Sequence, residues 1–147
     1  QIDLGFNYRM TDLQAALGSS QSHKLNDFIV KRNQLAQRYN DKIQHLPLSQ
    51  LTQSDDNLSA YHLYVVLTDN QQLQRDALFA HLRKKDIAVN IHYIPVHLQP
   101  YYQQLGFKPG DFPAAEAYYR RAITLPLYPD LTEQQQDYVI DCISELL

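Results

Sequence analysis

The sequence predicts an α/β chain of the α+β layer kind: a long N-terminal helix, then a short mixed or antiparallel sheet covered by helices. Three observations carry this. Apolar residues recur at spacings of three and four through residues 11–46. Two runs, AYHLYVVLT (60–68) and IAVNIHYIPV (87–96), are dense in the β-branched and aromatic residues that suit a pleated strand. Helical patterns alternate with these runs to the end of the chain, the arrangement of a layered domain.

Taken in order, residues 1–10 read as loop, with Gly5 and Asn7 as turn formers. Thr11-Asp12 supplies an N-cap and a first-turn negative charge. Leu13, Ala16, Leu17, Leu25, Phe28, Ile29, Leu35, Ala36, Tyr39 and Ile43 then mark one helical face. Gly18-Ser19-Ser20 are weak helix formers and predict a kink or a close helix approach there. Pro47 ends the helix, and 48–58 reads as a polar loop into the first strand at 60–68. Asp69-Asn70 caps a second helix running to Lys85, with Leu73, Ala77, Leu78 and Leu82 inward. A second strand is expected at 87–96, then an aromatic loop, HLQPYYQQLGFKPGDF. Pro113 opens a third helix to Ala122, LPLYP makes a short strand, and Thr132-Glu133 starts a last amphipathic helix.

The whole of 1–147 is expected to be one domain: loop 1–10, helix 11–46 and a small α/β unit over 59–147. Because it starts without Met inside a loop, it reads as part of a longer chain. A net charge of −3 gives no electrostatic argument for nucleic acid or a membrane surface. No apolar run approaches the roughly 20 residues of a membrane-spanning helix. Cys142, the lone cysteine, sits in an apolar helical pattern and reads as a buried thiol that fits a reducing, cytoplasmic setting.

Catalytic signatures such as GxSxG, GxxxxGK, HExxH and CxxC are absent. His92 and His97 are the only two of the six histidines close together in a loop-like context. They lack further ligands nearby, so no metal is expected. The same pair has no matched nucleophile or acidic orienter, which argues against a histidine-based hydrolase. The six lysines, at 24, 31, 42, 84, 85 and 108, fall on polar helix faces or in a loop. A lysine that attacks carbonyls needs a desolvated pocket to free its amine, so no catalytic residue is expected in this segment.

Two clusters remain. Asn7-Tyr8-Arg9, just ahead of a helix N-terminus, offers an amide, a phenol and a guanidinium to an anion such as a phosphate. The same residues also suit a loop in which Arg9 pairs with Asp12 and Tyr8 is core. His92, Tyr93, His97, Gln99, Tyr101 and Tyr102, set among Pro95 and Pro100, could line a pocket or simply cover the sheet.

At these clusters the chain resembles a known family. GFNYRMTDLQAALG (5–18) looks like the segment of DegT/DnrJ-type sugar aminotransferases that follows their cofactor-binding lysine. NIHYIPVHLQPYYQQLGF and PAAEAYYRRAITLPLYPDLTEQQQDYVI are similar to the end of the same family, in the right order. The resemblance implies the small C-terminal domain of a fold-type-I enzyme that uses pyridoxal 5′-phosphate (PLP). Glutamate would give its amino group to the C4 ketone of a UDP-linked 4-keto-6-deoxy-hexosamine. HYIPVHLQPYY points to the pseudaminic-acid and surface-glycan branch. Carried over by position, Asn7 would contact the PLP phosphate of the neighbouring subunit of a homodimer. Tyr8, Arg9, His92, Tyr93 and His97 would face the substrate. The lysine itself would lie upstream, leaving this segment inactive alone. The alternative is a non-catalytic binding or dimerisation module on the same domain.

Overall fold

The computed structural model of the chain describes residues 1–5, 9–69 and 72–147. Its elements are α1 (Asp12–Ser22), α2 (Leu25–Ile43), β1 (Leu48–Gln50), β2 (Tyr64–Thr68) and α3 (Gln72–Lys84). A 3₁₀ turn (Val96–Leu98), α4 (Pro100–Gln104), α5 (Pro113–Arg121), β3 (Ala122–Leu125) and α6 (Glu133–Ser144) complete it. Asn70 and the side chain of Leu73, assigned above to a cap and an inward face, lie outside the described residues.

The helix starts follow the caps. Oγ1 of Thr11 accepts from the Gln14 N–H, and the Gln14 side chain accepts from the Thr11 N–H, a reciprocal capping box. Thr132 and Gln135 repeat it at α6. Pro113 opens α5 at its first helical position, as expected.

The long helix predicted over 11–46 is two helices. The break falls at His23–Lys24, where Lys24 takes φ −96°, ψ 0°, and not at Gly18-Ser19-Ser20. Space around Gly18 is open, with nothing within 4 Å of where a Cβ would sit. The close approach anticipated there is not made within this chain, because no residue of α1 is buried. By contrast α2 buries Ala36, Tyr39 and Ile43 at helical spacing.

The sheet is antiparallel throughout, in the order β1-β2-β3. β1 arises inside the stretch read as loop: Leu48 pairs with Thr68, so the edge of β2 recruits three residues whose own sequence carries no strand signal. The predicted strand at 87–96 does not form. One bridge, Asn90 to Thr124, joins this segment to β3. Ile87 and Val89 turn into the core instead, after Asp86 reverses the chain at φ 58°. The last strand is Ala122–Leu125, which starts three residues before LPLYP and shares only Leu125 with it. Pro126, which has no N–H, marks its end.

One face of the sheet, Tyr64, Val66, Thr68, Ile123 and Leu125, is fully buried. It belongs to a core with Ala36, Tyr39 and Ile43 of α2, Leu78 and Leu82 of α3, and Val139, Ile140, Cys142 and Ile143 of α6. Cys142 is buried, as its pattern predicts. The Tyr39 and Tyr64 rings stack with centroids 4.9 Å apart, and the Tyr39 hydroxyl donates to the Pro126 carbonyl at 3.1 Å. At the rim, Arg38 holds Asp137 with two 2.8 Å bonds and Lys42 adds a third at 2.5 Å. This clamp ties α2 to α6.

The opposite face is different. Val65 and Leu67 are half-buried and lie opposite Thr124 and Ala122 in the register. His92 reaches the sheet from this side.

Candidate functional site

The segment after the Asn90 bridge carries the aromatic cluster. Nδ1 of His92 lies 2.8 Å from the Thr124 hydroxyl, which fixes the ring to the outer strand β3. The next ring, Tyr93, meets that of His92 edge-on with centroids 4.6 Å apart. Tyr93 is 71% exposed, so its phenol is presented to whatever faces this side.

His97 sits differently. It is only 6% exposed, and its Nε2 lies 2.9 Å from Oε1 of Glu116. The Glu116 carboxylate also accepts the Gly110 N–H at 2.6 Å. Hydrogen bonding from His97, then from Gly110, holds the Glu116 carboxyl below the usual range. The His97 ring packs at 4.9 Å from Phe112, at the edge of a cleft of about 400 Å³ walled by Pro95, Val96, Tyr102, Phe107 and Ala115. An acidic partner for a histidine therefore exists, contrary to the sequence reading. Among the described residues that wall the cleft, none is Ser, Thr or Cys. Sequence reasoning missed Glu116, because it is 19 residues from His97 and looks like an ordinary helix-surface acid.

Of the first cluster, Asn7 and Tyr8 lie outside the described residues. Arg9 is exposed, with φ 74°, and no ion pair joins it to Asp12. The structure does bring the two clusters' loops together at one point. The Gln1 backbone nitrogen donates to Oε1 of Gln99 at 2.7 Å, and the Gln1 carbonyl accepts from the Tyr101 N–H at 3.1 Å.

None of the six lysines occupies a dry pocket. Five are exposed, and the half-buried Lys85 places its amine 2.8 Å from Glu145. That hydrogen bond raises the Lys85 pKa, the opposite of what a carbonyl-attacking amine requires. Among the described residues, no group of three or more His, Cys, Asp or Glu is placed to hold a metal. No described helix is long and apolar enough to cross a membrane.

The accessible surface is 10188 Å², against about 7,800 Å² expected for a compact monomer of this mass. Part of the excess lies on α1, where Leu13 is 82% and Leu17 62% exposed.

A three-stranded antiparallel sheet backed by helices, fed by a helix pair at its N-terminal end, is the architecture of sugar-aminotransferase domains of known structure. The chain belongs to the DegT/DnrJ/EryC1/StrS aminotransferase family, which it matches over residues 1–144. It is 38% identical over 148 residues to the spore coat polysaccharide biosynthesis protein SpsC of Bacillus subtilis, covering 97% of this chain and 38% of SpsC. Spr1654 of Streptococcus pneumoniae in its PLP form superposes with a TM-score of 0.85 at 29% identity, over 95% of this chain and 37% of that one. Helicobacter pylori PseC, an aminotransferase of pseudoaminic acid biosynthesis, gives 0.82 at 27%, over 98% and 39%. The chain thus spans about two fifths of the length of these relatives.

Proposed function

We propose that this chain is the C-terminal part of a PLP-dependent sugar-nucleotide aminotransferase, forming one wall of its substrate cleft and part of a homodimer interface. The reaction is transfer of an amino group from L-glutamate to the C4 ketone of a UDP-linked 4-keto-6-deoxy-hexosamine, in the cytoplasm, for pseudaminic-acid or related surface-glycan synthesis. The observation that carries the reading is a pairing. The chain matches an aminotransferase family along nearly its whole length, yet none of its lysines suits covalent cofactor chemistry.

PLP does not fit the described residues by themselves. Its covalent partner belongs to polypeptide beyond these 147 residues, and the segment alone is inactive. When bound, PLP supplies the electron sink for amino transfer. This chain's part is binding and orientation. Asn7 offers an amide to the cofactor phosphate across the dimer, with Tyr8 and Arg9 beside it toward the substrate. His92, fixed through Thr124, the exposed Tyr93 and His97 line the sugar-nucleotide side of the cleft, with the His97 ring buried against Glu116. The exposed apolar residues of α1 are covered by the rest of the enzyme or the second subunit.

The test is an assay of the complete enzyme with L-glutamate and UDP-4-keto-6-deoxy-N-acetylhexosamine, read by product mass. An amino sugar one nitrogen richer supports the reading. No amination of any nucleotide-linked keto sugar sinks it, and leaves a binding module on the same fold.

A further inference from the structure

Three segments meet on the carboxylate of Glu116, whose side chain is 12% exposed. His97 in the 3₁₀ turn approaches Oε1 at 2.9 Å, and the Gly110 N–H reaches the same oxygen at 2.6 Å. Arg120, one helical turn on, lies 3.8 Å from Oε2. Gly110 takes φ 96°, a conformation that side chains resist, so the loop tip is shaped to deliver that N–H.

Between His92, tied to Thr124, and His97, tied to Glu116, the chain is held at both ends. Tyr93 lies between these anchors. Its phenol is exposed and has no hydrogen-bond partner among the described residues, so its orientation depends on where the two anchors hold the backbone. Pro95, buried in the middle, stiffens the same span.

We propose that Glu116 is a positioning residue for the sugar-nucleotide site, acting through His97 to fix the 92–98 segment that presents Tyr93. The proposal rests on the reading of that segment as the cleft wall. Without the carboxylate, the buried imidazole loses its partner and the Gly110 tip is released, so the segment loosens at one end.

The experiment separates the two half-reactions of the complete enzyme. Glu116→Ala should raise KM for the sugar nucleotide about tenfold or more, the size expected for losing a charge-assisted hydrogen bond. It should leave the glutamate half-reaction within about twofold. Glu116→Gln, which still accepts from both N–H groups, should stay within about threefold of wild type. His97→Ala should mimic Glu116→Ala, and the double variant should be little worse than either single. An unchanged KM in Glu116→Ala overturns the proposal, and so does an equal fall in both half-reactions, which marks a merely structural role. Should Glu116→Ala fail to fold, His97→Gln against His97→Ala decides: retention of KM by Gln alone supports the proposal, and equal values overturn it. A wild-type enzyme that aminates no sugar nucleotide fails one step earlier and removes the underlying reading with it.

Discussion

His92 and Thr124 are joined at 2.8 Å across the half-open face of the sheet, between a segment that makes a single bridge and a strand that is fully buried. This contact converts an irregular stretch into a placed one. Thr124→Val keeps the shape and removes the hydroxyl. It should cost about 1 kcal/mol of stability, the net worth of one hydrogen bond. In the complete enzyme the KM for the sugar nucleotide should rise while that for glutamate holds. Denaturant melts and steady-state kinetics on the same preparation check both. An unchanged midpoint and unchanged KM would remove Thr124 from the account.

A second prediction concerns acid. Hydrogen bonds from Arg38, then Lys42, hold the Asp137 carboxyl down to a pKa of about 2. An unfolded aspartate titrates at about 3.9. The folded value is the lower one, so the stabilisation is complete above about pH 4 and is lost as pH falls toward about 2. Asp137→Asn should flatten that part of the stability profile, measured by urea midpoints between pH 5 and 2. A variant with the wild-type slope would show that the clamp carries none of it.

Much of the fold was legible because local signals and tertiary outcome agree. Thr11 caps α1 and Thr132 starts α6, as the Thr-Asp and Thr-Glu pairs in the sequence lead one to expect. The strand expected over 60–68 forms in its second half, Tyr64–Thr68, where the Val residues lie. The misses share a cause, which is that neighbours and not local sequence decide. β1 exists because β2 offers an edge, and 87–96 fails as a strand because Ile87 and Val89 are drawn into the core. The break at His23–Lys24 has no Gly or Pro to announce it. At the site, the chemistry-bearing types at 92–97 stood out, while Glu116 became visible only when the fold carried it to His97.

Core burial sets a third expectation. Leu82 is fully buried in the core cluster that joins α3 to α6. Leu82→Ala should cost about 2–5 kcal/mol through lost transfer energy and the cavity left behind. A chemical denaturation curve shifted by less than that range would mean the α3–α6 seam relaxes to fill the space.

Helix α1 supplies a fourth. It buries nothing and spans only 11 residues, a length at which isolated helices are marginal in water. In the 147-residue chain alone, α1 amides should exchange with solvent close to unprotected rates, while those of α2 from Ala36 to Ile43 are protected. In the complete enzyme both should be protected. Equal protection of α1 in the isolated chain would show that it needs no covering partner. Light scattering on the isolated chain should also find self-association as Leu13 and Leu17 seek cover.

The central claim, that this chain builds a cleft wall for a cofactor anchored elsewhere, is tested most directly by borohydride reduction of the complete, PLP-loaded protein followed by peptide mass mapping. The account predicts a pyridoxyl adduct on one lysine outside these 147 residues. An adduct on Lys24, Lys31, Lys42, Lys84, Lys85 or Lys108, or a protein that traps no PLP at all, would contradict it.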